Sequence, residues 1–462
     1  MRQLVALCAV TAVLLAAAPA SAEQLRVMTF NIWYGGVQVE SDRIVKAIEA
    51  ADPDIVGFQE PEGNLRLIAE AAGLSHVDET LHVASRYPIF SAGRFGYVAV
   101  APGKVVAIAN VHLPSSPYGP ELVRDGRTPA QVLANERATR LGEIRPYLRL
   151  PAPGFLVGDF NSPSHLDWIP GNTRFKYPLR WPVSAALAEA GFRDSYREAH
   201  PDPIARPGIT WTPGTPPPRV RSRETHDRID WVLSTGATTT LASALVGEPG
   251  GPDVDIGVPW GSDHRGVVST FDVAPAPAPP LADAEPRVVT RGDPVTIRYA
   301  GVRAGGKRIA ILPPRGDRPL MSLPIGDTGD HRAAFLGTAG LRPGVYRAGV
   351  MGDKRVLASS RFWVEAPGAR PRIRVSRRVY APGETIRLRW SGMPGNKFDW
   401  VGIFRARPNF NVYGYYGFSY TGARPSGRLA MDVGRLAPGR YVAGLFLDDG
   451  YAVLAKTGFV VR

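Results

Sequence analysis

Apolar residues follow two rhythms along this chain. In the first 273 residues, short β-branched runs alternate with stretches of helical spacing. The runs Leu25 to Trp33, Ile55 to Gln59, Lys104 to Leu113, Phe155 to Gly158, Arg228 to Leu233 and Gly266 to Val273 read as strands. Several are apolar at consecutive positions, the pattern of strands covered on both faces. Helical spacing predicts a helix over Ser41 to Ala51, where Ile44, Val45, Ala47 and Ile48 share a face and Ser41 is the expected N-cap. Further helices are predicted at Asn64 to Ala72, from Thr128 to about Leu148, and at Val183 to Ala190. Thr128 followed by Pro129 is the favoured order for a helix start. Leu81 to Pro102 turns and alternates like a pair of strands, while Pro114 to Arg127 and Thr212 to Arg223 read as loops. Interleaved strands and helices with many short turns predict an α/β domain of mixed sheets with helices outside.

The second rhythm starts after a Pro-rich linker, placed at residues 275–285. Arg291 to Tyr299 matches Pro382 to Trp390, and Leu341 to Gly349 matches Leu436 to Gly444. Two units are expected, 286–366 and 370–462, each a small all-β sandwich of short strands and turns. The preceding domain would span 23–274.

Residues 1–22 read as a secretory signal: Arg2, an apolar run from Leu4 to Ala18, and a small-residue cleavage site at Ala20, Ser21 and Ala22. The run is about 15 residues, short of the roughly 20 that span a bilayer, so export is expected rather than a membrane anchor. Cys8, the single cysteine, lies inside that segment, which leaves no disulfide or thiolate chemistry for the exported chain. A secreted or periplasmic protein, acting as a monomer, is the expectation. Charge then separates the two halves. The overall balance of +13 divides into −6 for residues 1–285 and +19 for 286–462. A basic C-terminal half attracts polyanions such as nucleic acid, anionic membrane or acidic glycans, or serves as a soluble basic surface.

Six of the predicted strands are flanked at one end by polar groups, and these carry the candidate chemistry. They are Thr29, Phe30 and Asn31; Gln59 and Glu60; Asn110 and His112; Gly158, Asp159, Phe160 and Asn161; Arg228, Ile229 and Asp230; and Ser262, Asp263 and His264. Asn31, Glu60 and Asp263 offer hard oxygen ligands for a divalent cation, most readily Mg²⁺, with Mn²⁺ or Ca²⁺ as alternatives. Asp159 could orient an attacking water, Asn161 bind a phosphate oxygen, and His112 protonate a leaving oxygen. Asp230 would keep His264 protonated beside a phosphate. Asn110 and Arg228 are candidate substrate contacts, Asn110 alternatively a turn or strand residue.

This constellation, in this order, resembles the endonuclease/exonuclease/phosphatase family over roughly residues 25–273. The resemblance implies a four-layer sandwich of two mixed β-sheets flanked by helices. It also implies metal-dependent hydrolysis of a phosphoester substrate. His112 matches the deoxyribonuclease and sphingomyelinase branches, so a phosphodiesterase, nuclease or phospholipid-directed, is expected. A small-molecule phosphomonoesterase and a non-catalytic polyanion-binding protein are the alternatives. Trp33 stands where abasic-site endonucleases carry an aspartate, which disfavours DNA repair, and Gly266 replaces a common proline. In the second repeat, Asp399 to Phe404 and the aromatic run Tyr413 to Tyr420 resemble SKICH-type sandwiches. Arg219, Arg221 and Arg223 would grip a leaving group or sit on a solvated loop, and His226 would line the cleft or a surface loop. His76, His82, His165, His200 and His331 have no partner legible in the sequence.

Overall fold

The computed structural model describes residues 23–38, 40–211, 224–250, 253–303, 305–326, 332–353, 355–406 and 412–462. The expected signal segment, Arg219, Arg221, Arg223 and His331 lie outside the described residues. Two seven-stranded sheets build the N-terminal domain. In the first, Glu23–Asn31 is central, parallel to Ile55–Gln59 and antiparallel to Gly266–Val273. In the second, Lys104–His112 runs parallel to Gly154–Asp159, which pairs antiparallel with Asp230–Thr235. Between the sheets lies a core of Val27, Ile55, Val106, Ile108, Phe155, Val157 and Phe271. Helices Ser41–Ala51 and Leu65–Ala71 cover the outer face of the first sheet through Ile44, Ile48, Leu65 and Ile68. Ile144, Val183 and Leu187 cover the second. The result is helix, sheet, sheet, helix, the expected four layers.

Local differences from the sequence reading have identifiable causes. Glu40 occupies the N-cap position of the first helix without a side-chain cap, and Ser41 is already helical. Thr128 caps as expected, its hydroxyl accepting from Gln131 N while Gln131 bonds back to Thr128 N. The helix it starts is not continuous: a π-turn at Arg137–Leu141 and a 3-10 turn at Arg145–Tyr147 interrupt it. That bulge rotates Arg140 inward, where it pairs with Glu136 and donates to Ser115 O and Pro117 O. The stretch read as a loop, 114–127, contains the helix Gly119–Arg124, and a long strand, Thr238–Gly247, was missed because its threonines and alanines lack apolar alternation.

Each C-terminal unit packs a three-stranded sheet against a five-stranded one, with the same strand order in both. The Pro-rich linker is not free. Ala276–Pro277 pairs with Val105 and Lys104, and Leu281–Glu285 is the first strand of the first sandwich. Proline is tolerated there because the short pairing sits at a sheet margin. Among the described residues, no helix is long and apolar enough to cross a membrane.

Candidate active site

Strand register brings the polar tips together. Asn31 is level with Gln59 in one parallel pair, and His112 with Asp159 in the other. Four strands therefore deliver Asn31, Glu60, His112 and Asp159 at their carboxyl ends, and both sheets open on the same edge. Asp230 stands opposite Asp159 at the start of the antiparallel strand. His264 is held by Ser262, whose hydroxyl donates to Asn31 O at 2.7 Å and accepts from His264 N.

Asp159 is the hub. Its Oδ1 accepts from Asn161 N at 2.8 Å, and its Oδ2 accepts from Asn31 Nδ2 at 3.2 Å. The same Oδ2 faces His112 Nε2 at 3.6 Å and His264 Nε2 at 3.7 Å. His264 Nδ1 meets Asp230 Oδ2 at 3.0 Å. Burial raises the Asp159 carboxyl above its ordinary range, and Asp230 adds to this against the opposing pull of His264 and His112. For His264, burial disfavours the cation, but the Asp230 and Asp159 carboxylates outweigh it and hold the imidazolium well above its usual range. Asn161 keeps Asp159 in place through a left-handed backbone, φ 47°, and spends its amide on Leu113 O at 2.9 Å.

Beside this network, Glu60 accepts from Asn31 Nδ2 at 3.2 Å and from Tyr34 N at 3.2 Å, and lies 4.0 Å from His112 Nε2. Asp263 is pushed up to about 6 by burial; His264 opposes the rise, while Glu60 and Asp159 add to it. Carboxylates crowded this way fit a hard divalent cation, which relieves their repulsion. A second arrangement also has metal-holding spacing: Asp159, Asp230 and His264 each place a ligand atom within 4.8 Å of the others. There, however, both imidazole nitrogens already face carboxylates, so charge is paired internally. Asn31, Glu60 and Asp263 offer only oxygen atoms, the ligand type a hard ion takes, and Asn31 Oδ1 accepts from Trp33 N at 3.1 Å.

Two expected substrate contacts lie elsewhere. Asn110 is 2% exposed and fully engaged. It donates to Phe58 O, Leu81 O and His82 O and accepts from Gln59 Nε2 at 2.7 Å, which ties the two sheets together. Arg228 is buried behind the site, its guanidinium on Asp167 and Asp194. Neither faces the cleft. His82 pairs with Asp448 at 2.7 Å; His165 meets Ser184, His200 meets Ser243 O, and His76 meets Arg298. His226 lines a cavity of about 600 Å³ with Pro120, Arg124, Trp168, Phe175 and Lys176. Its walls come from 120–124, 168–176 and 224–227. Trp211, whose backbone bridges to both Asp227 and His264, connects this cavity to the polar cluster.

A polar cluster of this kind, at the shared edge of two facing mixed sheets, suits hydrolysis of a phosphoester. The chain belongs to the endonuclease/exonuclease/phosphatase family, whose sequence model matches residues 28–264. An uncharacterised protein of Caenorhabditis elegans is 30% identical over 247 residues, 46% of this chain and 79% of that protein. Among solved structures, the human OSCAR ligand-binding domain is 19% identical, covers 39% of this chain and 97% of its own, and gives a TM-score of 0.22. The D0-D1 domain of intimin is 12% identical over 38% of this chain and 95% of that one, at a TM-score of 0.17. Scores this low carry no argument about fold.

Proposed function

We propose that this chain is an exported, divalent-cation-dependent phosphodiesterase. The observation that carries the reading is Asp159 Oδ2 standing between two imidazoles, at 3.6 Å from His112 and 3.7 Å from His264. A carboxylate set to take a proton and two imidazoles set to give one suit water attack on phosphorus with protonation of a leaving alkoxide. Asp159 orients the water and accepts its proton. His264, kept cationic by Asp230, donates to a non-bridging phosphate oxygen where charge develops. His112, on the other side of Asp159, is placed to protonate the departing oxygen.

Asn31, Glu60 and Asp263 would hold the cation, Mg²⁺ first among those considered, which when bound neutralises phosphate oxygens. The cavity beside Trp211 would take the substrate beyond its scissile phosphate. Nucleic acid and phospholipid substrates both remain compatible with the basic repeats, and they separate by experiment. The test is Mg²⁺-dependent turnover of residues 23–462 against DNA, RNA, sphingomyelin, bis(p-nitrophenyl) phosphate and p-nitrophenyl phosphate. Cleavage of a diester at a rate far above the monoester is the expected result. Preference for the monoester would replace this reading with a phosphatase, and no turnover with Mg²⁺, Mn²⁺ or Ca²⁺ would favour a binding protein. A nuclease would also lose affinity steeply with salt, because each phosphate contact releases counterions.

A further inference from the structure

The second sandwich does not hang from the catalytic domain. It is seated on the turn that follows Glu60. Asp448, 385 residues away, accepts from Gly63 N at 3.0 Å through Oδ2 and meets His82 Nε2 at 2.7 Å through Oδ1. Both side chains of that hydrogen-bonded pair are almost fully buried, 1% and 2% exposed. Phe398 packs edge-on against His82 with ring centroids 5.4 Å apart, and Lys397 donates to Asn110 O at 2.7 Å. Leu447 fills the space where a side chain at Gly63 would stand, and Gly450 sits so close to Glu62 that a Cβ there would lie 3.3 Å from its carboxylate. Asp449, next along, accepts from Tyr420 OH at 2.8 Å and lies close enough to Glu60 and His112 for their charges to act on it.

Backbone conformation marks the same place. Glu60, Glu62, His82, Asp448 and Asp449 all have positive φ, at 53°, 45°, 54°, 42° and 67°. Non-glycine residues hold that conformation only where their surroundings over-determine it, and such residues gather at functional sites. Here the two strained turns brace each other across the domain boundary.

We propose that the Asp448–Asp449 turn is a positioning element of the active site, which fixes the Glu60 turn in its working conformation. Asp448 is its principal positioning residue. The inference rests on the phosphodiesterase reading, and deepens it: the repeat acts on a substrate too small to touch it. Removing residues 275–462 would therefore impair turnover of a small phosphoester as well as a polymeric one.

The test uses the full chain with Asp448→Ala and Asp449→Asn. Three quantities are read: kcat and KM for bis(p-nitrophenyl) phosphate, Mn²⁺ affinity by electron paramagnetic resonance of the free ion, and amide exchange at Gly63. Partners one step behind a metal ligand typically contribute about 10–100-fold. For Asp448→Ala, kcat should fall by about 10–100-fold with KM shifted by less than about threefold, Mn²⁺ should bind about tenfold more weakly, and Gly63 should lose protection. Asp449→Asn should show the same pattern at smaller size. Unchanged kcat and Mn²⁺ affinity in both variants, with only a lower melting temperature, would overturn the proposal and leave a structural interface. If Asp448→Ala does not fold, His82→Gln and Asp449→Asn carry the same readouts. If the wild type binds Mn²⁺ but cleaves no phosphoester, the functional reading fails while weaker Mn²⁺ binding in Asp448→Ala still supports the positioning role.

Lys397 gives the interface a pH dependence of its own. Burial pulls its ammonium down from 10.5 to about 8, with Asp448 and Asp78 opposing. Between these values the separated or unfolded chain carries a proton that the docked lysine does not. Stability therefore rises as pH goes from about 8 towards 10.5, and the penalty is fully present below about 8. In Lys397→Met this rise should disappear, which thermal unfolding at pH 7.5, 8.5 and 9.5 would register as a wild-type slope that the variant lacks.

Discussion

Replacing His264 by alanine is expected to lower kcat for a phosphodiester by about 10³–10⁴-fold, with a much smaller change in KM. The imidazole is held from both sides, by Asp230 at 3.0 Å and by Asp159 at 3.7 Å, in a buried setting that strengthens each interaction. A donor preorganised toward developing charge typically supplies about 10²–10³-fold, and loss of the proton network around Asp159 adds to it. Alanine has a second consequence. The imidazolium opposes the rise that burial and Asp230 impose on the Asp159 carboxyl, so alanine lets that carboxyl rise further. A carboxyl held by its own proton is a poorer acceptor from water, so the two losses compound. Asp230→Asn should cost less, about 10²-fold, because Asp159 still faces the ring. Initial rates at saturating substrate, with melting temperatures beside them, check both. An Asp230→Asn enzyme as fast as wild type would show that the pair only braces the fold.

Much of this site was legible in the sequence because strand ends advertise themselves. An apolar run that stops on Asn31, Glu60, His112 or Asp159 gives both the strand and the polar group it presents. Register does the rest: two parallel pairs in separate sheets bring the four tips to one edge. What sequence spacing cannot supply is the direction in which a side chain turns. Asn110 lies two residues before His112, on the same face of its strand by periodicity, yet it is deep enough to be consumed by Gln59 and three carbonyls. Arg228 lies two residues before Asp230, but it precedes the strand and turns to the far side. The docked repeat was illegible for another reason. His82 and Asp448 are separated by 366 residues, and neither sits in a motif, so only tertiary structure pairs them. Deleting residues 275–462 therefore does not separate a small-molecule phosphatase from a polymer-directed enzyme, since Gly63 and His82 would be stripped of their partners in either case.

Arg228→Met should destabilise the N-terminal domain by about 3–5 kcal/mol, the range for removing one partner of a buried ion pair. Four hydrogen bonds join Arg228 to Asp167 and Asp194, between 2.7 and 3.2 Å, and the guanidinium stacks 5.6 Å from the Tyr196 ring. Burial disfavours the cation there, yet the two carboxylates outweigh it and hold Arg228 above its ordinary range. Methionine fills comparable space but leaves Asp194 with the backbone of Arg197 and leaves Asp167 with Arg197 alone. Arg197 cannot replace it, because its other nitrogens are spent on His200 O, Arg206 O and Pro207 O. The effect on rate should differ in kind from that of His264. Trp231 Nε1 donates to Arg228 O, a backbone bond that methionine keeps, so the strand start carrying Asp230 stays in place. Urea unfolding should show a lower midpoint, while kcat measured well below the transition stays within about threefold of wild type. A loss of rate without a loss of stability would return Arg228 to the substrate, where the sequence had first placed it.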